Sequence, residues 1–158
     1  MSALAVGAEV EEVQCVVIPL QDSRLLLPNE CVAEILPWRR IKPLQAVPSW
    51  SLGILGWRGE TIPVVRFEVL NEHDGARSDE GRCIVVMNRA KLPIGPSFYA
   101  FAAEGLPRLM QVNSEDMAVA EPLMGPADTA AIKLGTEMVQ IPNLEMVERE
   151  VLALGIGR

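Results

Sequence analysis

The apolar residues of this 158-residue chain come in short runs that proline and glycine interrupt, and this pattern constrains the fold most. Runs such as VQCVVIPL at residues 13–20 and RCIVVMN at 82–88 are rich in β-branched residues, which favour strands. Twelve prolines and twelve glycines break up the chain. Because proline ends a helix and interrupts a strand ladder, the pattern predicts many short strands joined by turns.

About five strands are predicted in each half of the chain. Residues 13–28 and 130–142 are predicted as hairpins, the second turning near Gly135. GILGWRG and ETIPVVRFEVL, residues 53–59 and 60–70, are predicted as two strands joined by a tight turn at Arg58 and Gly59. Further strands are predicted at 82–88, 97–105 and 108–112.

Two segments carry helix signals. Asn29 is predicted to cap a helix of one or two turns over residues 29–36, and the alternative is that this element finishes as a strand. The only convincing amphipathic helix is predicted at residues 143–154. Its apolar stripe and its water-facing acidic residues are Leu144, Val147, Val151 and Leu154, and Glu145, Glu148 and Glu150, respectively.

Length and composition predict a single domain over residues 1–158 that folds by itself, because 49% of the residues are hydrophobic. The most polar stretch, residues 71–81, is the predicted boundary between two lobes, approximately residues 12–72 and 80–142. Limited proteolysis is expected to cut this stretch first. An initial cut inside residues 82–88 would contradict that boundary.

The charge balance excludes two classes of partner. With 21 acidic and 14 basic residues, the net charge of −7 argues against nucleic-acid binding and against direct insertion into an anionic membrane surface. The N-terminal segment lacks a basic region followed by an apolar one, so a cytoplasmic location is expected. The odd number of cysteines, three in apolar stretches, predicts buried reduced thiols instead of disulfides.

Candidate catalytic groups are scarce. His73 is the only histidine and lies in a polar stretch, so zinc ligation and a Ser/His/Asp or Cys/His arrangement lack their parts. Glu115 and Asp116 are adjacent, and neighbours in sequence seldom converge on one substrate atom. Glycines spaced by three at 53–59 precede no phosphate-binding motif, so they predict close strand packing. The sequence therefore predicts no enzyme activity and no cofactor.

Two features of the segment 37–57 leave alternatives open. WRRIK, residues 38–42, is either a solvated loop or an anion contact. Trp38, Trp50 and Trp57 lie within twenty residues of one another in a chain that is 4% aromatic, so either all three are buried or at least one lies on a partner surface.

Residues 32–70 resemble the CheW-like family of bacterial chemotaxis coupling proteins. That family has a Val-x-Glu-Ile element, a loop with a proline turn, then Gly-x-x-x-Leu-Arg-Gly and a Pro-Val-Ile-Asp-Leu strand. The residues that match are Val32, Glu34, Ile35, Pro48, Gly53, Arg58, Gly59, Pro63, Val64 and Val65. A weaker resemblance extends to residues 82–88 and 131–148.

The chain also departs from the family pattern, at three positions within residues 32–70. Gly56 replaces an asparagine, Trp57 a leucine and Arg66 an aspartate. GWRG followed by a Pro-Val-Val-Arg-Phe-Glu strand looks more like the ChpC-like or PilI-like adaptors of type IV pilus signalling in twitching motility than like the flagellar adaptors. The stretch 97–112 lacks the family's Val-Asp-x-Val pattern, which leaves its kinase-facing surface undefined.

The resemblance implies a mainly β fold of two small five-stranded β-barrel lobes that share a core, with the C-terminal helix packed alongside. It also implies a non-catalytic adaptor between the cytoplasmic tip of a methyl-accepting chemotaxis receptor and the regulatory domain of a CheA-type histidine kinase, located at membrane-bound receptor arrays. The residues expected to bind the partner are Val32, Glu34, Trp57, Arg58 and Gly59. The alternatives are an interaction module that bridges no kinase and a small β-barrel enzyme.

Arg58 itself has two interpretations. It either pairs with Glu34 or Glu60 and holds its hairpin, or it forms a charge-assisted contact with the receptor at the edge of the groove between the lobes.

Overall fold

The structure, a computed structural model, describes residues 12–72, 81–88, 98–113, 115, 117–120 and 125–155. Predictions for His73, for Asp116 and for most of the polar stretch 71–81 lie outside these residues. Within them are eleven strands and two helices. They are β1 Glu12–Pro19, β2 Arg24–Pro28, β3 Val32–Pro37, β4 Ser51–Trp57, β5 Glu60–Val65, α1 Phe67–Leu70, β6 Cys83–Asn88, β7 Phe98–Ala103, β8 Arg108–Asn113, β9 Met117–Ala120, β10 Asp128–Leu134, β11 Glu137–Pro142 and α2 Leu144–Ala153.

The described strands form one sheet of six and one of five. The six-stranded sheet has the order β9-β10-β11-β2-β1-β8, and the five-stranded sheet has the order β3-β6-β7-β5-β4. Neighbours pair antiparallel except β11 with β2 and β5 with β7, which are parallel. A mainly β fold with a C-terminal helix is therefore confirmed. The strand count differs from five in each lobe because β9, which the sequence did not predict as a strand, adds a sixth.

The two sheets do not follow the predicted sequence division into residues 12–72 and 80–142. The N-terminal hairpin β1–β2 pairs with β8 and β11 from the C-terminal half. The polar stretch joins α1 to β6, and β6 belongs to the same sheet as β5. It therefore connects strands of one sheet.

Each sheet curls around an apolar cluster of its own. In the five-stranded sheet, alternate residues of every strand, the two edge strands included, form one cluster. In the six-stranded sheet the same is true of all six strands when partly buried residues are counted. Because residues of both edge strands meet inside each cluster, the sheets have the curvature expected of small barrels. The buried members are Leu36, Leu55, Trp57, Ile62, Val64, Ile84, Val86, Ala100 and Ala102 in the first, and Cys15, Val17, Leu26, Val112, Ile132 and Val139 in the second.

A third cluster lies between the sheets and contains most of the large apolar side chains that are fully buried. Phe101 makes edge-to-face contacts with Phe67 and Tyr99, at ring-centroid distances of 5.8 and 5.7 Å. Val147 and Val151 of α2 belong to the same cluster. The helix therefore seals the core that the two sheets share.

Helix α2 confirms the prediction for residues 143–154, with one correction. Asn143 caps it, because its side-chain oxygen accepts a hydrogen bond of 3.1 Å from the Met146 N–H. Glu148 does not face water: it is 4% exposed and accepts a hydrogen bond from the Tyr99 hydroxyl at 3.4 Å. Glu148 directly follows Val147 and lies four residues after Leu144, so it belongs to the buried stripe.

The predicted strand at 60–70 ends at Val65 instead. Arg66 donates its backbone N–H to Trp50 O at 2.8 Å, and the chain then forms the short helix α1. Phe67 and Leu70, spaced by three, both enter the shared core. A single helical turn satisfies this burial, and a continued strand would have placed these two residues on opposite faces.

At residues 29–36 the open alternative of a strand is the one observed. A 3₁₀ turn at Asn29–Cys31 leads into β3. Asn29 lies inside this turn, which has no side-chain cap.

The buried Tyr99 hydroxyl makes stability fall at high pH. Burial, followed by the Glu148 carboxylate, raises the pKa of Tyr99 well above its ordinary value of 10.0. Since the folded state favours the neutral phenol, its contribution is complete below about pH 10 and is lost as the pH rises toward the folded-state pKa. We expect the urea midpoint to fall above pH 10, and to fall less steeply in Tyr99→Phe. Equal slopes in both proteins would contradict this.

Candidate functional site

Arg58 lies at the tip of the β4–β5 hairpin. Trp57, the last residue of β4, pairs with Glu60, the first residue of β5, so Arg58 and Gly59 alone form the turn. Both have positive φ, 48° and 78°, as a two-residue turn that matches the strand twist requires. This confirms the predicted turn. Non-glycine residues seldom adopt positive φ, so the backbone conformation of Arg58 is imposed by the two-residue turn.

A bulge in β3 brings Glu34 to the same place. Val32 pairs with Met87 and Glu34 with Val86, which leaves Ala33 as an extra residue. Met87 faces the core between the sheets, and Val86 faces the interior of the five-stranded sheet. The bulge thus turns Glu34 toward the interior rim, while Val32 packs against the shared core.

Glu34, Trp57 and Arg58 form one cluster at this rim. The Trp57 indole Nε1–H donates to Glu34 Oε1 at 2.9 Å, and Arg58 Nη2 lies 3.0 Å from the same oxygen. Arg58 Cζ lies 4.8 Å from the centroid of the Trp57 ring, within cation–π range. Glu34, Trp57, Arg58 and Gly59 are called the rim site below.

The charges of the rim site face water. The Arg58 side chain is 68% exposed and that of Glu34 35%, so their pair adds about 0 to 1 kcal/mol to stability. Trp57 is buried and packs edge-on against Phe98, with 4.8 Å between ring centroids. Both contacts to Glu34 use Oε1. The arrangement therefore presents a guanidinium and a carboxylate, both held in place by a buried tryptophan.

Four of the five predicted binding residues are thus brought together. Val32, the fifth, lies on the other face of β3 because of the bulge. The sequence left open whether Arg58 pairs with Glu34 or with Glu60; among the described residues it forms an ion pair with Glu34 and none with Glu60. The exposure of the pair leaves it accessible to a partner protein.

Other reactive side chains of the described residues do not form a metal or catalytic cluster. No group of three His, Cys, Asp or Glu in this part of the chain is placed to hold a metal ion. None of the three cysteines is in a disulfide with another described residue; Cys15 and Cys83 are buried, and Cys31 is partly buried. Burial raises the pKa of the Cys15 and Cys83 thiols, and Glu104 raises that of Cys83 further, so neither is activated as a nucleophile.

The three tryptophans separate into two environments. Trp50 and Trp57 are 8% and 6% exposed, and Trp38 is partly exposed. We expect iodide to quench one component of the emission, and Trp38→Phe to remove that component. Emission that stays fully protected from iodide in the unsubstituted protein would contradict the partial exposure of Trp38.

Sequence reasoning did not find one surface feature, a cleft of about 710 Å³ beside the loop that joins β3 to β4. The signals were present, since this loop has Trp38, three cations and three prolines at residues 37–48. They did not show that strand β4 forms the opposite wall.

Comparisons with known proteins agree with this architecture. The family model described as CheW-like domain matches residues 14–151. The crystal structure of scaffolding protein TtCheW from Thermoanaerobacter tengcongensis is similar, with a TM-score of 0.67 and 16% identity over 84% of this chain and 89% of that one. No curated protein sequence matches the chain significantly. Neither helix in the described part of the chain has the length and hydropathy to span a membrane. The family model covers most of the chain, and the fold agrees with it, so this protein belongs to the CheW-like domain family.

Proposed function

We propose that this protein couples the cytoplasmic tip of a methyl-accepting chemotaxis receptor to the regulatory domain of a CheA-type histidine kinase. Membership of the CheW-like family supports the broader role, an adaptor in chemotaxis signalling, and CheW proteins are non-catalytic scaffolds. Family membership does not identify the two partners; the receptor and the kinase are part of the proposal. The observation that carries it is the exposed, pre-positioned Glu34–Arg58 pair of the rim site.

The rim site suits a helical receptor tip for two reasons. Arg58 and Glu34 offer a donor and an acceptor held by Trp57, so little side-chain entropy is lost when a partner binds. Phe98, which packs against Trp57 on the same face of the sheet, is partly exposed and adds apolar surface beside the charges. An amphipathic helix contacts such a surface with its apolar face and pairs its flanking polar groups with the charges.

The kinase then occupies a second surface. A scaffold must bind both partners at once, so the kinase contact lies away from the rim site, and signal passes as a change in the relative geometry of the three proteins. The adaptor is expected at membrane-bound receptor arrays through its partners. Trp57 and Arg66, which replace a leucine and an aspartate of the family pattern, support the ChpC-like or PilI-like branch of type IV pilus signalling.

Arg58→Ala is expected to weaken binding of a receptor cytoplasmic fragment about 10- to 100-fold, because an arginine contact that becomes buried on binding contributes roughly 1.5 to 3 kcal/mol. The thermal midpoint should hardly change, since the Glu34–Arg58 pair is exposed. Isothermal titration calorimetry and a thermal scan on the same sample measure both quantities.

Arg149→Ala is the matched control. Arg149 also forms an exposed ion pair, with Glu145 on α2, and its side chain is 66% exposed. It should leave receptor affinity unchanged. A large stability loss with unchanged affinity in Arg58→Ala would show that Arg58 serves the hairpin alone. Recovery of the receptor fragment on immobilised kinase only when this protein is added tests the bridge itself.

A further inference from the structure

The cleft beside the β3–β4 loop lies at the opposite end of β4 from the rim site. Ser51 begins β4 and Trp57 ends it, so the two features are about 20 Å apart along the strand. The cleft has a volume of about 710 Å³. Apolar and polar residues both line it, and they come from the loop and from the start of β4; they are Trp38, Arg40, Ile41, Pro43, Leu44, Ser49, Ser51 and Leu52.

The loop that forms one wall is fixed in place. Lys42 and Ile54 exchange two backbone hydrogen bonds of 2.9 Å, which ties the middle of the loop to β4. Gly53 allows this close approach, because a Cβ at that position would lie 2.0 Å from Lys42 O. Near the end of the loop, the Ser51 N–H donates to Pro48 O at 3.0 Å. The cleft is therefore already formed before any ligand binds.

Positive charge without an ion-pair partner among the described residues is concentrated on the loop beside this cleft. Among the ten described lysines and arginines, five have no ion pair with a described carboxylate. Three of them are on the loop. A fourth, Arg82, follows Gly81, whose Cβ position is 3.1 Å from the Trp38 ring. The five are Arg39, Arg40, Lys42, Arg82 and Lys133.

This concentration is unusual for a chain of net charge −7. Arg40 and Lys42 are exposed, and Arg40 also lines the cleft. A ligand that carries both negative charge and an apolar group would complement all of these features.

We propose that the cleft binds an acidic peptide segment of a partner protein, with one large apolar side chain of that segment seated between Trp38, Leu44 and Leu52. A simple anion would leave the apolar walls uncovered, and the volume is far larger than it needs. A nucleic acid would meet only four such cations, of which Arg40 alone lines the cleft, on a strongly acidic protein. The segment binds through short-range burial of its apolar side chain and long-range attraction to the cations.

The test uses a fluorescein-labelled peptide of about twelve residues, acidic throughout except for a central leucine pair, long enough to span the loop. Fluorescence anisotropy is measured with the full chain at about 0.02 M and about 0.3 M salt. We expect binding that weakens several-fold at the higher salt concentration. Arg40→Glu combined with Lys42→Glu should weaken it about tenfold or more, and Leu44→Ala about threefold or more.

Lys133→Glu is the matched control, because Lys133 is an exposed unpaired cation on β10 of the other sheet. It should leave the affinity unchanged. Thermal midpoints of the charge variants should agree with that of the unsubstituted protein, since the substituted cations are exposed. Equal binding of a peptide with Gln and Asn for every Glu and Asp, or equal loss in Lys133→Glu, would overturn the proposal. Self-association of the protein that Arg40→Glu abolishes would assign the cleft to a second copy and would also overturn it.

Discussion

Arg66→Met is expected to lower the free energy of unfolding by about 3 to 5 kcal/mol, because it removes a buried cation that is paired with two carboxylates in one charge cluster. Arg66 Nη1 lies 3.0 Å from Glu104 Oε2 and 3.7 Å from Glu68 Oε2. The side chains of Arg66 and Glu68 are both 2% exposed. Without the guanidinium, the Glu68 carboxylate stays buried with the Gln21 N–H as its neutral donor.

A double substitution separates charge from packing. Glu68→Gln removes the buried negative charge and keeps an oxygen that can accept from the Gln21 N–H. In the Arg66→Met background it should recover about 1 to 2 kcal/mol of the loss, measured by urea unfolding as a double-mutant cycle. Arg149→Ala, which breaks an exposed pair, should cost less than about 1 kcal/mol. A cost that small for Arg66→Met would show that the cluster contributes little.

The cluster also joins the two sheets. Arg66 follows β5 and Glu104 follows β7, both of the five-stranded sheet, while Gln21 lies in the β1–β2 turn of the six-stranded sheet. The Glu104 N–H donates to Pro19 O at 2.9 Å, which adds a second link. Loss of Arg66 therefore weakens the contact between the sheets as well as the buried charges.

Arg66 shows where the sequence was informative and where it was not. The run of β-branched residues after the turn predicted β5 correctly up to Val65, because such residues favour strands. The burial of Arg66 and Glu68 depends on Glu104 and Gln21, which are 38 and 47 residues away from their partners. No local sequence pattern indicates such a contact. Arg66 and Glu68 are therefore equally compatible with solvent-facing positions in a longer strand.

The order of the strands in the two sheets could not be predicted from the sequence, for a similar reason. A polar stretch of eleven residues predicted a lobe boundary, since loops are polar. Which strands pair is decided by long-range burial, and β1–β2 returns to β8 and β11 near the other end of the chain. Hairpins were predictable because their turn residues are adjacent. Pairings between distant strands leave no such signature.

The rim site was predictable only in part. The turn residues Arg58 and Gly59 have a local signal, and the pairing of Arg58 with Glu34 was one of the alternatives that the sequence offered. The bulge at Ala33, which separates Val32 from Glu34, has none, because it depends on the register with β6. The contact of the Trp57 indole with Glu34 likewise required the curl of the sheet. Local turn chemistry thus fixed half of the site, and tertiary packing decided the rest.

Gly53→Ala is expected to lower the free energy of unfolding by about 2 to 5 kcal/mol, through a clash and a strained backbone. A Cβ at this position would lie 2.0 Å from Lys42 O and 2.8 Å from Pro43 Cα. Both are backbone atoms, so no rotamer change can relieve the contact. The φ of +130° adds strain, because side-chain-bearing L-residues seldom adopt it. The Lys42–Ile54 hydrogen bonds would have to lengthen or break.

Gly56→Ala, three residues along the same strand, is the control for this prediction. Nothing lies within 4 Å of a Cβ there, and its φ is not among the positive values. The change should therefore be within about 1 kcal/mol, on the side of greater stability, because alanine restricts the unfolded chain. Urea unfolding of the two variants measures the difference. If both glycines tolerate alanine equally, the loop does not press on β4 as the structure shows, and the fixed wall of the cleft loses its physical basis.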